Sequence, residues 1–312
     1  MRAICADMFG VLAVNKPCGL TSRDVVNRIQ RLIRPVKVGH TGTLDPSATG
    51  VLLLAIGQAT RLVEFSHGQP KEYCAEFQLD AESDTLDADS EVRLIPSPTM
   101  PSREELEAEM LNWIGAINQT PPKYSAVHVD GKRAYQLARQ GETFEIQSRV
   151  VNIHSIDLID YRYPRLELRI RCGSGTYIRS LGNDIAMGVR SAAVMTHLER
   201  TAIGPFTVKQ CHDLEELSNQ VDIAAALQPA AELVSHLPRV TLGSEQAQRI
   251  RNGIPLKFTD SEFERAAGVA AGREPIVAMG LGSELVAIVQ LKEQGTYRSL
   301  RVFQMASETN QP

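Results

Sequence analysis

Apolar positions recur along this chain in two rhythms. Val25, Val26, Ile29, Leu32 and Ile33 fall on one face of a helix that Thr21 or Ser22 can cap and Pro35 ends. From Tyr73 to Leu79 the chain alternates instead: Tyr73, Ala75, Phe77 and Leu79 share one face and Cys74, Glu76 and Gln78 the other, which predicts a half-buried strand. Leu166 to Cys172 alternates in the same way. Gly10 to Asn15 reads as another strand, entering a turn at Lys16-Pro17-Cys18-Gly19, and Val51 to Ile56 is a continuous apolar run of buried-strand length between glycines. Ser102-Arg103-Glu104-Glu105 opens a capped helix carrying Leu106, Met110, Leu111 and Trp113. Ile178, Leu181 and Ile185 have helical spacing after the loop Gly173-Ser174-Gly175, and a further capped helix is expected near Asp213-Leu214.

Past Leu237 the pattern changes to short segments separated by glycines. Gln246 to Asn252 reads as a helix stopped by Gly253, and Val277 to Met279, Leu285 to Leu291 and Ser299 to Gln304 read as strands. This predicts a compact, mostly β module, with Pro229 and Pro238 flanking the boundary. At 312 residues a main domain with a smaller appendage is the expected division. The limits are drawn at 9–235 and 236–306.

Composition is that of an ordinary globular protein. The five cysteines, Cys5, Cys18, Cys74, Cys172 and Cys211, are scattered, without paired spacing, so neither a zinc site nor a disulfide framework is expected and a reducing cytoplasm fits. With no ligand spacing among the seven histidines either, no metal and no cofactor are expected. The apolar stretch from Met8 to Val14 is too short for a membrane span, and Arg2 followed by Asp7 makes a poor signal peptide.

A net charge of −4 argues against an RNA-binding role until its distribution is considered. Between Asp80 and Met110 ten acids face only Arg93 and Arg103, a local charge of −8 that leaves +4 on the rest of the chain. An acidic segment facing away from RNA is compatible with a modestly basic binding face elsewhere. From Trp113 to His154, Lys123, Lys132, Arg133, Arg139 and Arg149 outnumber three acids and interleave with Tyr124 and Tyr135. Such a segment can grip a phosphate backbone and stack on bases, although a solvated helix with two packing tyrosines gives the same pattern.

The run Gly39-His40-Thr41-Gly42-Thr43-Leu44-Asp45-Pro46-Ser47-Ala48-Thr49-Gly50-Val51-Leu52 surrounds one carboxylate with residues that shape backbone. Pro46 biases Asp45 towards an extended or turn conformation, and the three glycines permit dihedrals or close approaches closed to other residues. Asp45 is thus a candidate nucleophile or acid/base on a shaped loop, its ordinary alternative being an Asp-Pro turn.

The whole run resembles the signature of the TruB family of tRNA pseudouridine synthases, which convert uridine 55 of the tRNA T-loop to pseudouridine. The resemblance extends from about Phe9 to Arg200. It implies an α+β fold with a mixed, largely antiparallel sheet, a thumb insertion at about 113–154, and a small β-rich C-terminal domain resembling the PUA fold. It implies Asp45 as the nucleophile. Arg179, in Gly-Thr-Tyr-Ile-Arg, would pair with it, and Tyr73, in Lys71-Glu72-Tyr73, would lie against the target base. Tyr177 and Leu198 match the remaining pocket positions, and His40 matches the histidine that fills the space left by extruded bases. Glu199 departs from the family, where a basic residue is common. The implied partner is the T-stem-loop of tRNA, without an obligatory protein partner or a membrane, in the cytoplasm, with assistance to tRNA folding as an added role. A guide-RNA-dependent synthase of the dyskerin type and a non-catalytic tRNA chaperone are the rival readings.

Pseudouridine formation breaks C1′–N1 and joins C1′ to C5 of the same base. It asks for an anionic nucleophile, a cation that favours its ionised form, a surface for the detached uracil and an acceptor for the C5 proton. Attack on the sugar, attack on the base and a glycal route all remain open to Asp45.

Overall fold

The computed structural model describes residues 8–304, except 126, 130, 259–262, 265–274, 293 and 294. Cys5, Arg2, Asp7 and the last two residues of the expected C-terminal domain lie outside the described residues. The elements that build the site are β1 (Gly10–Lys16), α1 (Ser22–Leu32), β2 (Val38–His40), β3 (Thr49–Ile56) and β4 (Lys71–Leu79). They continue with α2 (Arg103–Met110), β5 (Gly115–Gln119), β6 (Arg149–Arg162), β7 (Arg165–Cys172), α3 (Ile178–Gly188) and β8 (Ala193–Ile203).

The central sheet runs in the order His212–Asp213, β1, β3, β8, β4, β7, β6, β5. Two pairings are parallel, His212–Asp213 with β1 and β3 with β8, and the neighbours along the rest of this path are antiparallel. The fold is therefore α+β with a mixed, largely antiparallel sheet. Its register places Gly50 opposite Arg200, Arg200 opposite Tyr73, and Tyr73 opposite Ile170, one row across four strands.

The continuous apolar run of β3 has a direct cause, since both of its faces are covered. Leu52, Leu54 and Ile56 pack with Leu12, Val14 and the α1 residues Val25, Val26 and Ile29. Val51, Leu53 and Ala55 face the opposite way, into a cluster with Leu62, Leu233, Val277, Ile288 and Phe303. The strict alternation of β4 reflects the other situation, one buried and one half-exposed face. Its apolar side packs with Leu106 and Met110 of α2 and Leu181 and Ile185 of α3.

Caps fix the helix starts. Thr21 and Asp24 form a capping box on α1, and Ser102 and Glu105 form one on α2, each hydroxyl cap being worth about 1 kcal/mol. The helix expected near Asp213-Leu214 is displaced: His212–Asp213 pairs with β1, and the helix runs Gln220–Ala226 with Asn219 accepting from the amides of Val221 and Asp222. Asn219 supplies the cap geometry there, while Asp213 is held in the sheet.

The excursion between β5 and β6 contains the short pair His128–Val129 and Lys132–Arg133 and the helix Ala134–Arg139. β5 and β6 themselves are strands of the central sheet, so the excursion is anchored at both ends. The C-terminal sheet holds β9 (Arg239–Leu242), β10 (Ile276–Gly280), β11 (Leu285–Leu291) and β12 (Thr296–Val302), with α4 (Ser244–Arg251) against it.

Candidate active site

The Asp45 loop joins β2 to β3 and is held from several sides. Ser22 Oγ accepts from Leu44 N at 2.8 Å and donates to Leu44 O at 3.1 Å. Gly19 N donates to Pro46 O at 2.8 Å, and Lys16 Nζ reaches the same carbonyl at 3.1 Å. From beneath, Arg200 donates to Val51 O at 2.8 Å and Gly42 O at 3.2 Å. Gly50 closes the loop at φ +96°, and a Cβ there would stand 2.3 Å from Arg200 O, so no other residue fits without a shift. Asp45 is consequently presented on a rigid loop with its side chain 40% exposed.

Arg179, in the first turn of α3, stands 3.1 Å from Asp45 Oδ2 through Nη2. Its Nη1 contacts Asp87 Oδ2 at 2.8 Å and donates to Thr85 O at 2.8 Å, while Nη2 also donates to Tyr124 O at 3.3 Å. The guanidinium is thereby fixed on the buried Asp87 and two backbone carbonyls with one edge aimed at the half-exposed carboxylate.

These groups open onto a cavity of about 610 Å³ lined by Asp45, Tyr73, Tyr177, Arg179 and Leu198 among others. Tyr73 is buried on the floor, where burial raises its phenol and the Arg200 guanidinium beside it opposes that rise. Leu198 is buried in the wall. Tyr177 precedes α3, its backbone clasped by Gln119 at 2.8 and 3.1 Å, and Arg149 stacks over its ring at 5.1 Å while donating to Gly175 O. Five of the six expected site residues thus meet around one cavity. His40 is the exception: it lies on β2, outside the cavity lining, with a buried Nδ1 that has no hydrogen-bond partner. Burial first, then Arg23 and Arg200, lower its pKa and favour the neutral imidazole.

The sequence pattern of this site has a match. Residues 30–178 match the TruB family pseudouridylate synthase, N-terminal domain. The tRNA pseudouridine synthase B of Dehalococcoides mccartyi strain BAV1 is 38% identical over 299 residues, spanning 95% of this chain and 97% of its own. The enzyme of the same name from Rhodopirellula baltica is 41% identical over 265 residues, 80% of this chain and 76% of its own. The chain belongs to the TruB family. It is a pseudouridine synthase, an isomerase. Among solved structures, a crystal structure of a Cbf5-Nop10-Gar1 complex aligns at a TM-score of 0.71 and 26% identity, covering 95% of this chain and 84% of that one.

In this TruB chain two acids of the stretch after Asp80, Asp87 and Asp89, do not face away from the site. Asp87 grips Arg179, and Asp89 Oδ2 accepts from Ser47 Oγ at 3.1 Å, so the acids brace the Asp45 loop. Asp87, Lys71 and Arg200 went unread as site residues. The signal for Arg200 was a charged residue on the same strand face as Leu198, which alternation points inward. Lys71 shares the buried face of β4 with Tyr73 for the same reason. Among the described residues, no group of three or more His, Cys, Asp or Glu side chains is arranged to hold a metal, and no helix is long and apolar enough to cross a membrane.

Proposed function

We propose that this pseudouridine synthase acts on tRNA, isomerising uridine 55 of the T-loop, with Asp45 as the nucleophile. The observation that carries the reading is the Arg179–Asp45 contact of 3.1 Å at the mouth of a cavity floored by Tyr73. A carboxylate with an open face and a fixed cation behind it is suited to covalent or electrostatic work on a ribose. The cavity is large enough for a nucleoside, so the uridine enters it unstacked from the loop, with Tyr73 beneath the base and Leu198 beside it. His40, close to the loop, takes up space vacated by the extruded nucleotides.

Residues 9–235 form the catalytic domain in this reading, and 236–306 form the PUA-like domain that adds RNA contact. The 120–148 excursion with Tyr124, Lys132, Arg133 and Tyr135 closes over the stem-loop. The chain works in the cytoplasm without guide RNA or protein partner, and its grip on the T-arm also assists tRNA folding. The support is the likeness to two enzymes named tRNA pseudouridine synthase B, near full-length for one and over 80% of this chain for the other.

The test is tritium release from a T-stem-loop labelled at C5 of uridine 55, comparing the wild type with Asp45→Asn. Release by the wild type alone, with both proteins binding RNA, is the expected result. Normal turnover by the variant would remove Asp45 as the nucleophile. No release by a folded, RNA-binding wild type would favour the guide-dependent or chaperone reading.

A further inference from the structure

Two buried cations that line the cavity, Arg200 and Lys71, have no acid to pair with, unlike the equally buried Arg179. Arg200 is 2% exposed and donates to three carbonyls, Val51 O at 2.8 Å, Gly42 O at 3.2 Å and Thr43 O at 3.5 Å. Lys71 is 8% exposed, and its Nζ is directed at Gln69 O at 2.7 Å, Ser174 Oγ at 2.5 Å and His67 O at 3.3 Å. Lys16, fully buried under the Asp45 loop, likewise touches only the carbonyls of Pro17, Leu20 and Pro46. Among the described residues none of the three forms an ion pair with a carboxylate. The half-exposed Arg165, by contrast, contacts three, Glu76, Asp160 and Glu167.

An acidic chain with 37 acidic side chains that leaves Lys16, Lys71 and Arg200 buried and unneutralised maintains a positive potential at that place. Lys71 and Arg200 also repel one another, and that repulsion, after burial, lowers Lys71 to about 8, so it stays largely charged at neutral pH. Both line the cavity and both are adjacent to Tyr73, its floor: Arg200 stands opposite Tyr73 on the neighbouring strand and Lys71 lies two residues away on the same strand face. Their donors are occupied by neutral oxygens, which fixes them in place and directs their field, rather than their hydrogen bonds, into the cavity.

We infer that Lys71 and Arg200 are positioning residues whose unpaired charge stabilises the uracil anion released in mid-reaction. The inference rests on the reading above that the isomerisation occurs at Asp45. When C1′–N1 breaks, the electron pair leaves with N1 and the base becomes an anion. C1′ is satisfied by the Asp45 carboxylate or by loss of the C2′ proton. Rejoining uses an electron pair of the base to form C5–C1′ as the Asp45 ester bond breaks or, in the glycal route, as C2′ takes its proton back; the C5 proton is then removed and N1 gains one, so atoms and charge balance. The anion exists only while the base is free, so a preorganised positive field at the cavity floor acts on the step that needs it.

The test compares a T-stem-loop carrying uridine with one carrying 5-fluorouridine at the target position. Fluorine withdraws electron density and stabilises the detached base anion, so the fluorinated base needs the field less. The readout is single-turnover disappearance of the starting nucleoside in RNA digests, for the wild type, Lys71→Gln, Lys71→Arg and Arg200→Lys. Lys71→Gln is expected to slow uridine by about 30-fold and 5-fluorouridine by only about 3-fold, with stem-loop binding nearly unchanged. Lys71→Arg and Arg200→Lys, which keep the charge, are expected to retain the wild-type ratio between the two substrates. That ratio is independent of the folded fraction of any variant. Equal slowing of both substrates would overturn the inference alone, because it is what a purely structural lysine would give. Normal turnover by Asp45→Asn would overturn the site reading and this inference with it.

Discussion

Asp87 Oδ2 lies 2.8 Å from Arg179, closer than the 3.1 Å between the same guanidinium and Asp45. Asp87 and Arg179 are both buried, with side chains 6% and 7% exposed, so the tighter contact is the inner one. The inner pair sets where the outer pair can form. Arg179 is held on Asp87 and two carbonyls, and Asp45 receives the edge that remains.

Replacing Asp87 by Asn keeps the shape and removes the charge that anchors Arg179. The guanidinium is then free to swing fully onto Asp45 or towards solvent, and either movement misplaces the carboxylate. The expected outcome is a 10- to 100-fold slower single turnover, by order of magnitude, with stem-loop binding little affected. Stability should fall by about 1–3 kcal/mol because a buried charge-assisted bond is weakened. Stopped-flow rates and urea melts of the same preparation measure both. An unchanged rate would show that Arg179 needs no second carboxylate.

Gly50 offers a test of backbone rather than charge. Its φ of +96° and the 2.3 Å approach of a Cβ to Arg200 O both forbid a side chain. Gly253, at φ +76°, has nothing within 4 Å of the same position. Gly253→Ala should therefore cost only the strain of a left-handed alanine, about 1–2 kcal/mol. Gly50→Ala should cost more, and it should also displace the Asp45 loop and lower activity, whereas Gly253→Ala leaves activity intact. Thermal melts paired with turnover assays separate the two; equal losses in both variants would mean that the β3–β8 contact yields easily.

What the sequence made legible follows from how local each determinant is. The helix α1, its Thr21 cap and the alternation of β4 are written in neighbouring residues, and they appear where the pattern placed them. The Asp45 loop was legible because glycines and proline shape it locally. The role of Asp87 was hidden, since its significance lies in contact with a residue 92 positions away, and a run of acids reads from sequence only as charge. Arg200 was hidden for a related reason: a single arginine in β8 gains its meaning from the strand register that sets it opposite Gly50 and Tyr73.

Lys71 makes stability depend on pH in a direction unusual for a lysine. Its folded value is depressed from 10.5 to about 8, chiefly by burial, so the folded state has released this proton across a window in which the unfolded state still holds it. Where the unfolded state binds more protons, stability rises with pH. The cost of burying the charged amine is present in full below about pH 8 and is relieved as pH climbs towards 10.5. Wild type should therefore gain stability relative to Lys71→Met between those values. Urea melts of the pair at pH 7, 8, 9 and 10 give the difference directly, cancelling groups that do not interact with Lys71. A flat difference would mean that the amine is not strained by its surroundings.

Asp184 provides the opposite sign. It lies on α3 beside a second cavity of about 850 Å³, shared with Trp113, Asn118, Lys123 and Phe144. Burial alone raises its carboxyl from 3.8 to about 6. The folded state then holds a proton that the unfolded state has lost, and the advantage of folding falls as pH rises through about 6. At neutral pH the ionised carboxylate is a burden, and Asp184→Asn should raise the melting temperature at pH 7.5. That gain should shrink steadily towards pH 4, where the acid is protonated in the folded protein. A melting temperature at pH 7.5 that is unchanged or lower would show that the ionised carboxylate is held by an interaction strong enough to offset its desolvation. The same measurement repeated with a T-stem-loop present reports whether RNA supplies such an interaction, because the bound RNA would then stabilise the wild type more than the variant.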